Sequence, residues 1–371
     1  SNFNDVYGPA ESTLPSLTSL LSGLMSTQHS IGDYSINSDS FDNKVVNSNI
    51  EILPETLKSF EFMNFFAATA TRTSSKVGFA RGFDDHHQVN NNYDLNAPGI
   101  DWAIKGLDAY KNYNKFLFLH FDHLHAPVLK FGTSEKPMLH DVSKLNQSNF
   151  HILRDYYLKG LCKIDRDIGF LVKYLKDQNQ YENTLIILTG DHGNAIEWRK
   201  GSDYSLNDER LRVPLIIKYP NWSKKRDEFA NDINKSTSSL SKIFETIYLS
   251  LDIKISDEFL NLPQYSNEFK EYTFSEVIMM PRKQVDRYQL AVFHENYKYV
   301  CSNIIDWENF KITKVLEENL YVKDPSSGYF DENNLETEEN NEEKLNKYRL
   351  VAKSVIGKNL KFLKKYPSQI Y

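Results

Sequence analysis

Residues 14 to 24, LPSLTSLLSGL, carry apolar side chains at Leu14, Leu17, Leu20, Leu21 and Leu24. That spacing makes one face of a helix, with Thr13 just ahead of it and Pro15 where a first turn tolerates proline. Farther along, KFLFLHF (residues 115 to 121) is a short apolar run ending in a cluster of His and Asp. From Arg154 to Lys176, Tyr157, Leu161, Ile164, Ile168, Leu171 and Leu175 recur at helical spacing, and the strand-like NTLIILTG follows. LRVPLIIKYP reads as another strand, closed by Pro220, and SSLSKIFETIYLSLDI as an amphipathic helix. Helical segments alternating with fully apolar strands predict an α/β fold: a mainly parallel sheet with helices on both faces. After about residue 270 the texture changes to short, closely spaced strands, EYTFSEVIMM, YQLAVFHE and YKYVCSN, which predict a small C-terminal antiparallel sheet. The expected organisation is therefore a catalytic domain over 1–265 and a C-terminal subdomain over 266–371 packed on it.

Composition narrows the classes. With 371 residues, 40% of them hydrophobic and 25% charged, the chain can build a large core. Lys and Arg number 44 against 50 Asp and Glu, a net charge of −6, and no basic block stands out, so no nucleic-acid partner is expected. Cys162 and Cys301 are far apart and form no CxxC pair, which argues against both a disulfide framework and a thiolate metal site. No apolar run reaches the roughly 18 to 20 residues of a membrane span. The first residues, SNFNDVYGPA, contain neither an initiating Met nor a signal peptide, so the chain is expected to begin partway into a longer protein. Neither compartment nor oligomeric state is legible. The tripeptides at Asn146, Asn221 and Asn234 match the glycosylation pattern at a rate that an Asn-rich chain reaches by chance.

The candidate chemistry sits in LIILTGDHGN, residues 185 to 194, where a strand runs straight into Asp191, His192 and Gly193. In open α/β sheets, ligand sites gather at the carboxyl ends of strands, where loops present side chains over a rigid platform. A carboxylate beside an imidazole is half of a Zn²⁺ or Mn²⁺ site, and Gly193 lets the backbone turn sharply beneath the ion. The bland alternative is that Asp191 caps a helix and His192 bonds locally. Asp84, Asp85, His86 and His87 also invite a metal reading, but a structural turn is preferred for them. Lys200 and Arg212 are candidate anion contacts, Arg212 doubling as a brace for its strand.

Several segments together resemble the sulfatase-like branch of the alkaline phosphatase superfamily, in the family's order, from about Phe3 to Val300. STLPSLTSLLSG is similar to its nucleophile segment, in which Cys, Ser or Thr precedes x-Pro-Ser and a helix ends in Gly. RGFDD, HLHAPV, YENTLIILTGDHG and RLRVPLIIKYP resemble later motifs, and FSEV with YKYV resembles the C-terminal sheet. The resemblance implies an alkaline-phosphatase-like fold and a small anionic ester as substrate. It puts Thr13 at the nucleophile position, Asp191 and His192 with Thr13 at the metal, and His125 against the substrate. The divalent metal it implies is Zn²⁺ or Mn²⁺ from the Asp and His donors, with Ca²⁺, common among sulfatases, also possible.

Two departures shape the expected reaction. The family's first strand, which carries acidic metal ligands, has no counterpart in this chain, and Asp5 lies too close to the helix to replace it. Sulfatases also need Cys or Ser at the nucleophile position for conversion to formylglycine, whereas here it is Thr13, with Ser12 one place out of register. In the superfamily, threonine serves phosphodiesterases and phosphoethanolamine or phosphoglycerol transferases. The reading is therefore a hydrolase of phosphate (or sulfate) esters acting through Thr13, the alternatives being such a transferase or a catalytically inactive sulfatase-like binding domain.

Overall fold

The computed structural model describes residues 2–32, 46, 48–68, 78–88, 99–121, 124, 150–193, 206–223, 238–279, 287–306, 309–327, 329–330 and 341–365. They form two compact units. One comprises Ser1–Ile50, Leu185–Gly193 and Asp203–Tyr371, and the other Glu51–Thr184 and Asn194–Ser202.

The first unit is built on a four-stranded sheet of β1 (Asn2–Tyr7), β5 (Ile186–Thr189), β6 (Arg212–Lys218) and β7 (Ser238–Ser239), in the order β5-β6-β1-β7. β6 runs antiparallel to both β5 and β1, and β7 is parallel to β1, so three of these four strands point the same way. The register of β1 on β6 slips between Phe3 and Val6, leaving Asn4 and Asp5 opposite Pro214 alone. Proline has no N–H for the ladder, and a bulge is how a sheet accommodates it. On β6, Val213, Leu215 and Ile217 are buried, while Pro214 and Ile216 alternate outward.

Helix α1 (Thr13–Ser22) follows β1 and is buried at every position. A buried helix containing Ser16, Thr18, Ser19 and Ser22 must satisfy its hydroxyls internally. Thr18 Oγ1 donates to Leu14 O at 2.8 Å, and Ser22 Oγ to Thr18 O at 2.6 Å. Gly23 ends the helix at φ +70°, where a Cβ would lie 2.5 Å from the Tyr265 hydroxyl and 2.7 Å from the Phe244 ring. The short helix α2 (Ser26–His29) comes next, and Thr27 donates from its N–H (2.9 Å) and its hydroxyl (2.6 Å) to Glu276. Burial raises the pKa of Glu276, opposed by those bonds and by donors from Tyr288 and Asn359.

A second sheet of this unit is wholly antiparallel. It comprises β8 (Thr273–Met279), β9 (Arg287–His294), β10 (Tyr297–Asp306) and β11 (Lys311–Val322), in the order β11-β10-β9-β8. β9 is central and covered on both faces. Tyr288, Leu290 and Val292 join Tyr348, Val355 and Leu360 of the long helix Glu342–Lys365, whereas Ala291 and Phe293 pack against Tyr7 of β1. Tyr7 and Phe293 stack at 4.2 Å between ring centroids, tying β1 to the C-terminal sheet.

The second unit carries a parallel sheet of β2 (Phe62–Ala68), β3 (Asp85–Gln88) and β4 (Asn114–His120), in the order β3-β2-β4. Helices α3 (Leu53–Ser59), α4 (Gly99–Ala109) and α5 (Phe150–Asp177) complete it. Asp84 accepts the Asn64 N–H at 2.9 Å and Lys58 Nζ at 2.7 Å. Although partial burial alone would raise its pKa, those bonds hold it below the ordinary carboxylate range. The His86 ring stacks on Phe66 at 4.8 Å and the His87 ring on Trp102 at 5.2 Å, an aromatic packing arrangement. The fold is α/β: the sheet of the second unit is parallel, the sheet around β1 has three of its four strands running the same way, and the wholly antiparallel sheet is the C-terminal one.

His29 yields a pH prediction. Its Nδ1 accepts the Ile31 N–H at 3.1 Å, so the proton of the neutral ring is on Nε2 and donates to Ser19 Oγ at 3.0 Å. Complete burial lowers its pKa from 6.5 to about 3. A depressed pKa means the unfolded chain takes up a proton that the fold refuses. The associated stability is full above pH 6.5 and is lost as pH falls toward about 3, at about 1.4 kcal/mol per pH unit. In thermal melts from pH 7 to pH 4, His29→Gln should show a shallower decline than the unsubstituted protein. Parallel declines would contradict the assignment.

Candidate active site

The site is assembled at one end of α1. Ser12 occupies the N-cap position in extended conformation (φ −137°, ψ 155°), and Thr13 is the first helical residue. The N-cap position thus belongs to Ser12, whose side chain makes no capping bond. Thr13 is only 2% exposed, and its Oγ1 lies 3.2 Å from His192 Nε2. The two residues are 179 apart in sequence and are brought together because β5 delivers its C-terminal loop beside the start of α1.

The backbone of Gly193 decides which way the imidazole proton faces. His192 Nδ1 is 2.7 Å from the Gly193 carbonyl, which can only accept, so Nδ1 carries the proton and Nε2 presents a lone pair. That lone pair meets the Thr13 hydroxyl, which donates to it. It also lies 3.6 Å from Asp191 Oδ2, so two electron-pair donors face one point beside a hydroxyl. An Asp oxygen, a His nitrogen and a Thr oxygen are donor types that divalent metals accept. Among the described residues, no set of three His, Cys, Asp or Glu side chains comes together as a complete ligand group. Asp191, His192 and Thr13 are therefore a partial donor set.

The loop bearing these groups is gripped from several sides. Ser16 Oγ, on α1, donates to Asp191 O at 2.5 Å. The Gly193 N–H donates to Arg210 O at 2.7 Å, in the short helix α6 (Asp208–Leu211) just before β6. A Cβ on Gly193 would lie 2.0 Å from Glu209 O, so only glycine lets the loop approach α6 this closely. Gly8, at the end of β1, donates its N–H to Leu211 O at 2.6 Å, and a Cβ there would sit 3.0 Å from Asp191 O. Ser16, Gly8 and the α6 turn went unnoticed as site-forming residues in the sequence. Only the Pro-Ser of the nucleophile segment hinted at Ser16.

The start of α1 offers fewer free N–H groups than its sequence suggests. Pro15 has none, and Ser16 N–H already donates to Ser12 O at 3.1 Å, which leaves Thr13 and Leu14 to face an anion. Arg212 begins β6, with its guanidinium 3.3 Å from Asp5 and 5.4 Å from the centre of the Tyr329 ring. Lys323 binds the other oxygen of Asp5 at 2.8 Å, so Arg212 takes part in a brace between β1, β6 and the end of β11. His125 and Lys200 lie outside the described residues, as do Asp122 and His123. Among the described residues, no helix is long and apolar enough to cross a membrane.

A family model described as Sulfatase matches residues 1–253. A multifunctional alkaline phosphatase superfamily protein of Trinickia caryophylli is 26% identical over 102 residues, covering 27% of this chain and 20% of that protein. An ulvan-active sulfatase of Formosa agariphila is 33% identical over 100 residues, covering 24% of this chain and 19% of the relative. These matches thus span about a fifth of each curated relative. Among solved structures, a phosphonate monoester hydrolase from Silicibacter pomeroyi superimposes with a TM-score of 0.67 at 14% identity, over 98% of this chain and 89% of that one. That likeness concerns the fold. The family match covers well over half of the chain, a span that includes Thr13, Asp191 and His192, and the protein belongs to the sulfatase family.

Proposed function

We propose that this protein is a metal-dependent ester hydrolase that cleaves phosphate esters through Thr13. One observation carries the reading: the Thr13 hydroxyl is 3.2 Å from an imidazole nitrogen whose lone pair is aimed at it by the bond from His192 Nδ1 to Gly193 O. An isolated threonine hydroxyl is a poor nucleophile, and activation requires an acceptor or a cation beside it. His192 Nε2 supplies the acceptor. Alternatively, that single lone pair would go to a divalent cation held by Asp191, His192 and Thr13, and the cation would then take over activation of the hydroxyl and stabilise the alkoxide and the transferring group.

The first step forms a bond from Thr13 Oγ1 to phosphorus and breaks the bond to the ester oxygen, which leaves as an alcohol after taking up a proton. The Thr13 and Leu14 N–H groups at the start of α1 hold non-bridging oxygens, and His125, on the family motif, donates to the leaving group. Water then attacks the phospho-threonine, releases phosphate and returns the proton to Thr13. Phosphorus is favoured over sulfur because the family's sulfatases depend on a Cys or Ser converted to formylglycine, and Thr13 is neither. Sulfate esters remain the second reading because the ulvan-active relative is a sulfatase.

Two experiments test the proposal. A panel of nitrophenyl phosphate, bis-nitrophenyl phosphate, a nitrophenyl phosphonate and nitrophenyl sulfate should show turnover of phosphorus esters, with Thr13→Ala lowering kcat/KM by at least roughly a thousandfold. Turnover of the sulfate alone, or turnover indifferent to Thr13→Ala, defeats the phosphorus reading. Transfer to an added alcohol without hydrolysis would identify a transferase, and no turnover at all a binding domain. In calorimetric titrations with Zn²⁺, Mn²⁺ and Ca²⁺, one site should fill and be lost in Asp191→Ala. Binding indifferent to Asp191 would move the metal elsewhere.

A further inference from the structure

We infer that Lys298, on β10 of the C-terminal sheet, is a positioning residue for His192, acting through Asp208 and the α6 turn; the catalytic consequence rests on the hydrolase reading above. Lys298 and Asp208 are both completely buried, with Nζ 2.8 Å from Oδ1, and the other Asp208 oxygen accepts the Phe330 N–H at 2.7 Å. A buried ion pair is an expensive way to gain stability, since apolar side chains of similar volume often do as well. What it does provide is a single fixed position for the element that carries it. Asp208 is the first residue of α6, and Asn207 caps the same turn by accepting the Arg210 N–H at 2.9 Å.

From α6 the route to the imidazole is short. Arg210 O holds the Gly193 N–H, and Leu211 O holds the Gly8 N–H. Glu209 O leaves no room for a side chain on Gly193, so displacement of α6 is transmitted to that glycine. Gly193 O in turn keeps the proton of His192 on Nδ1. If α6 shifts, Gly193 moves with its N–H partner, the Gly193 carbonyl is carried away from Nδ1–H, and the ring is released to carry its proton on Nε2. That proton would point at Thr13 Oγ1 and occupy the lone pair needed to accept from the hydroxyl or bind a cation. The pair thereby links the C-terminal sheet to the chemistry without either residue touching substrate.

The test reads the tautomer directly. The full metal-free chain, labelled with ¹⁵N at histidine, is examined at pH 8.5 by two-bond ¹H–¹⁵N correlation, with His192→Gln assigning the signal. The unsubstituted protein should show His192 protonated on Nδ1. Lys298→Met combined with Asp208→Asn removes both charges while retaining an acceptor for Phe330 N–H. This variant should populate the Nε2–H form and lower kcat at least tenfold on the best panel substrate, with KM changed less than threefold. Lys298→Arg, which keeps the charge, should retain the Nδ1–H form. Should the double variant fail to fold, Asn207→Ala loosens the same turn without touching a buried charge and should give the same tautomer change. An unchanged tautomer in a folded double variant, or in Asn207→Ala if the double does not fold, overturns the inference. Because the spectrum needs no turnover, a silent substrate panel would count against the hydrolase reading and leave this result standing.

Discussion

The close approach of Gly193 to α6 is the constraint on which the rest of the site depends. Its N–H is held by Arg210 O at 2.7 Å, at a place where a methyl group would collide with Glu209 O. With the glycine fixed there, its carbonyl orients the His192 ring, and the ring meets Thr13. A single backbone contact therefore sets the relation between a loop at the end of β5 and the first turn of α1. Neither partner could establish that relation through its own local conformation. Ser16 adds a second grip from the helix side by holding the carbonyl of Asp191.

The helix that carries Thr13 is held just as firmly on its other faces, by polar as well as apolar contacts. His29, neutral because it is buried, bonds to Ser19, and Gln264 Nε2 and the Tyr265 hydroxyl both donate to Gly23 O where the helix ends. Thr27 on α2 is anchored to Glu276 of β8, which also receives Tyr288 and Asn359. Such networks add little net stability per bond, yet each buried group left unsatisfied would cost more than a bond contributes. They favour one placement of α1 over its alternatives. The C-terminal sheet is accordingly part of the site's scaffold: it reaches α1 through Glu276, β1 through the Tyr7–Phe293 stack, and α6 through Lys298.

Where signals were local, the sequence was readable. Leu14, Leu17, Leu20, Leu21 and Leu24 announced α1, and Gly23 its end. The apolar run ending at Thr189 announced β5, and the change of texture after about residue 270 matched the antiparallel strands β8 to β10. Asp191 and His192 stood out because a strand rarely delivers two ionisable groups together, and the family motif pointed to Thr13 as their partner. The reversal of β6 was less accessible, because a buried strand looks alike in either direction and only its neighbours fix its sense. Arg212 was ambiguous for a related reason: a cation at a strand start serves an anion or a carboxylate equally well, and Asp5 became its neighbour only when β1 paired with β6.

By itself the sequence determined the α/β class and the positions of most elements and singled out Thr13, Asp191 and His192 as candidates, because periodicity, turn residues and motif spacing are properties of adjacent residues. Tertiary structure alone decided the 3.2 Å meeting of Thr13 with His192, the tautomer that gives this meeting its chemical sense, and the burial of Lys298 against Asp208. The first and last rest on contacts between residues 179 and 90 positions apart, and the tautomer rests on a Gly193 carbonyl that only the packing against α6 holds in place. Such contacts form when separate strands and helices pack, and no window of the chain contains both partners.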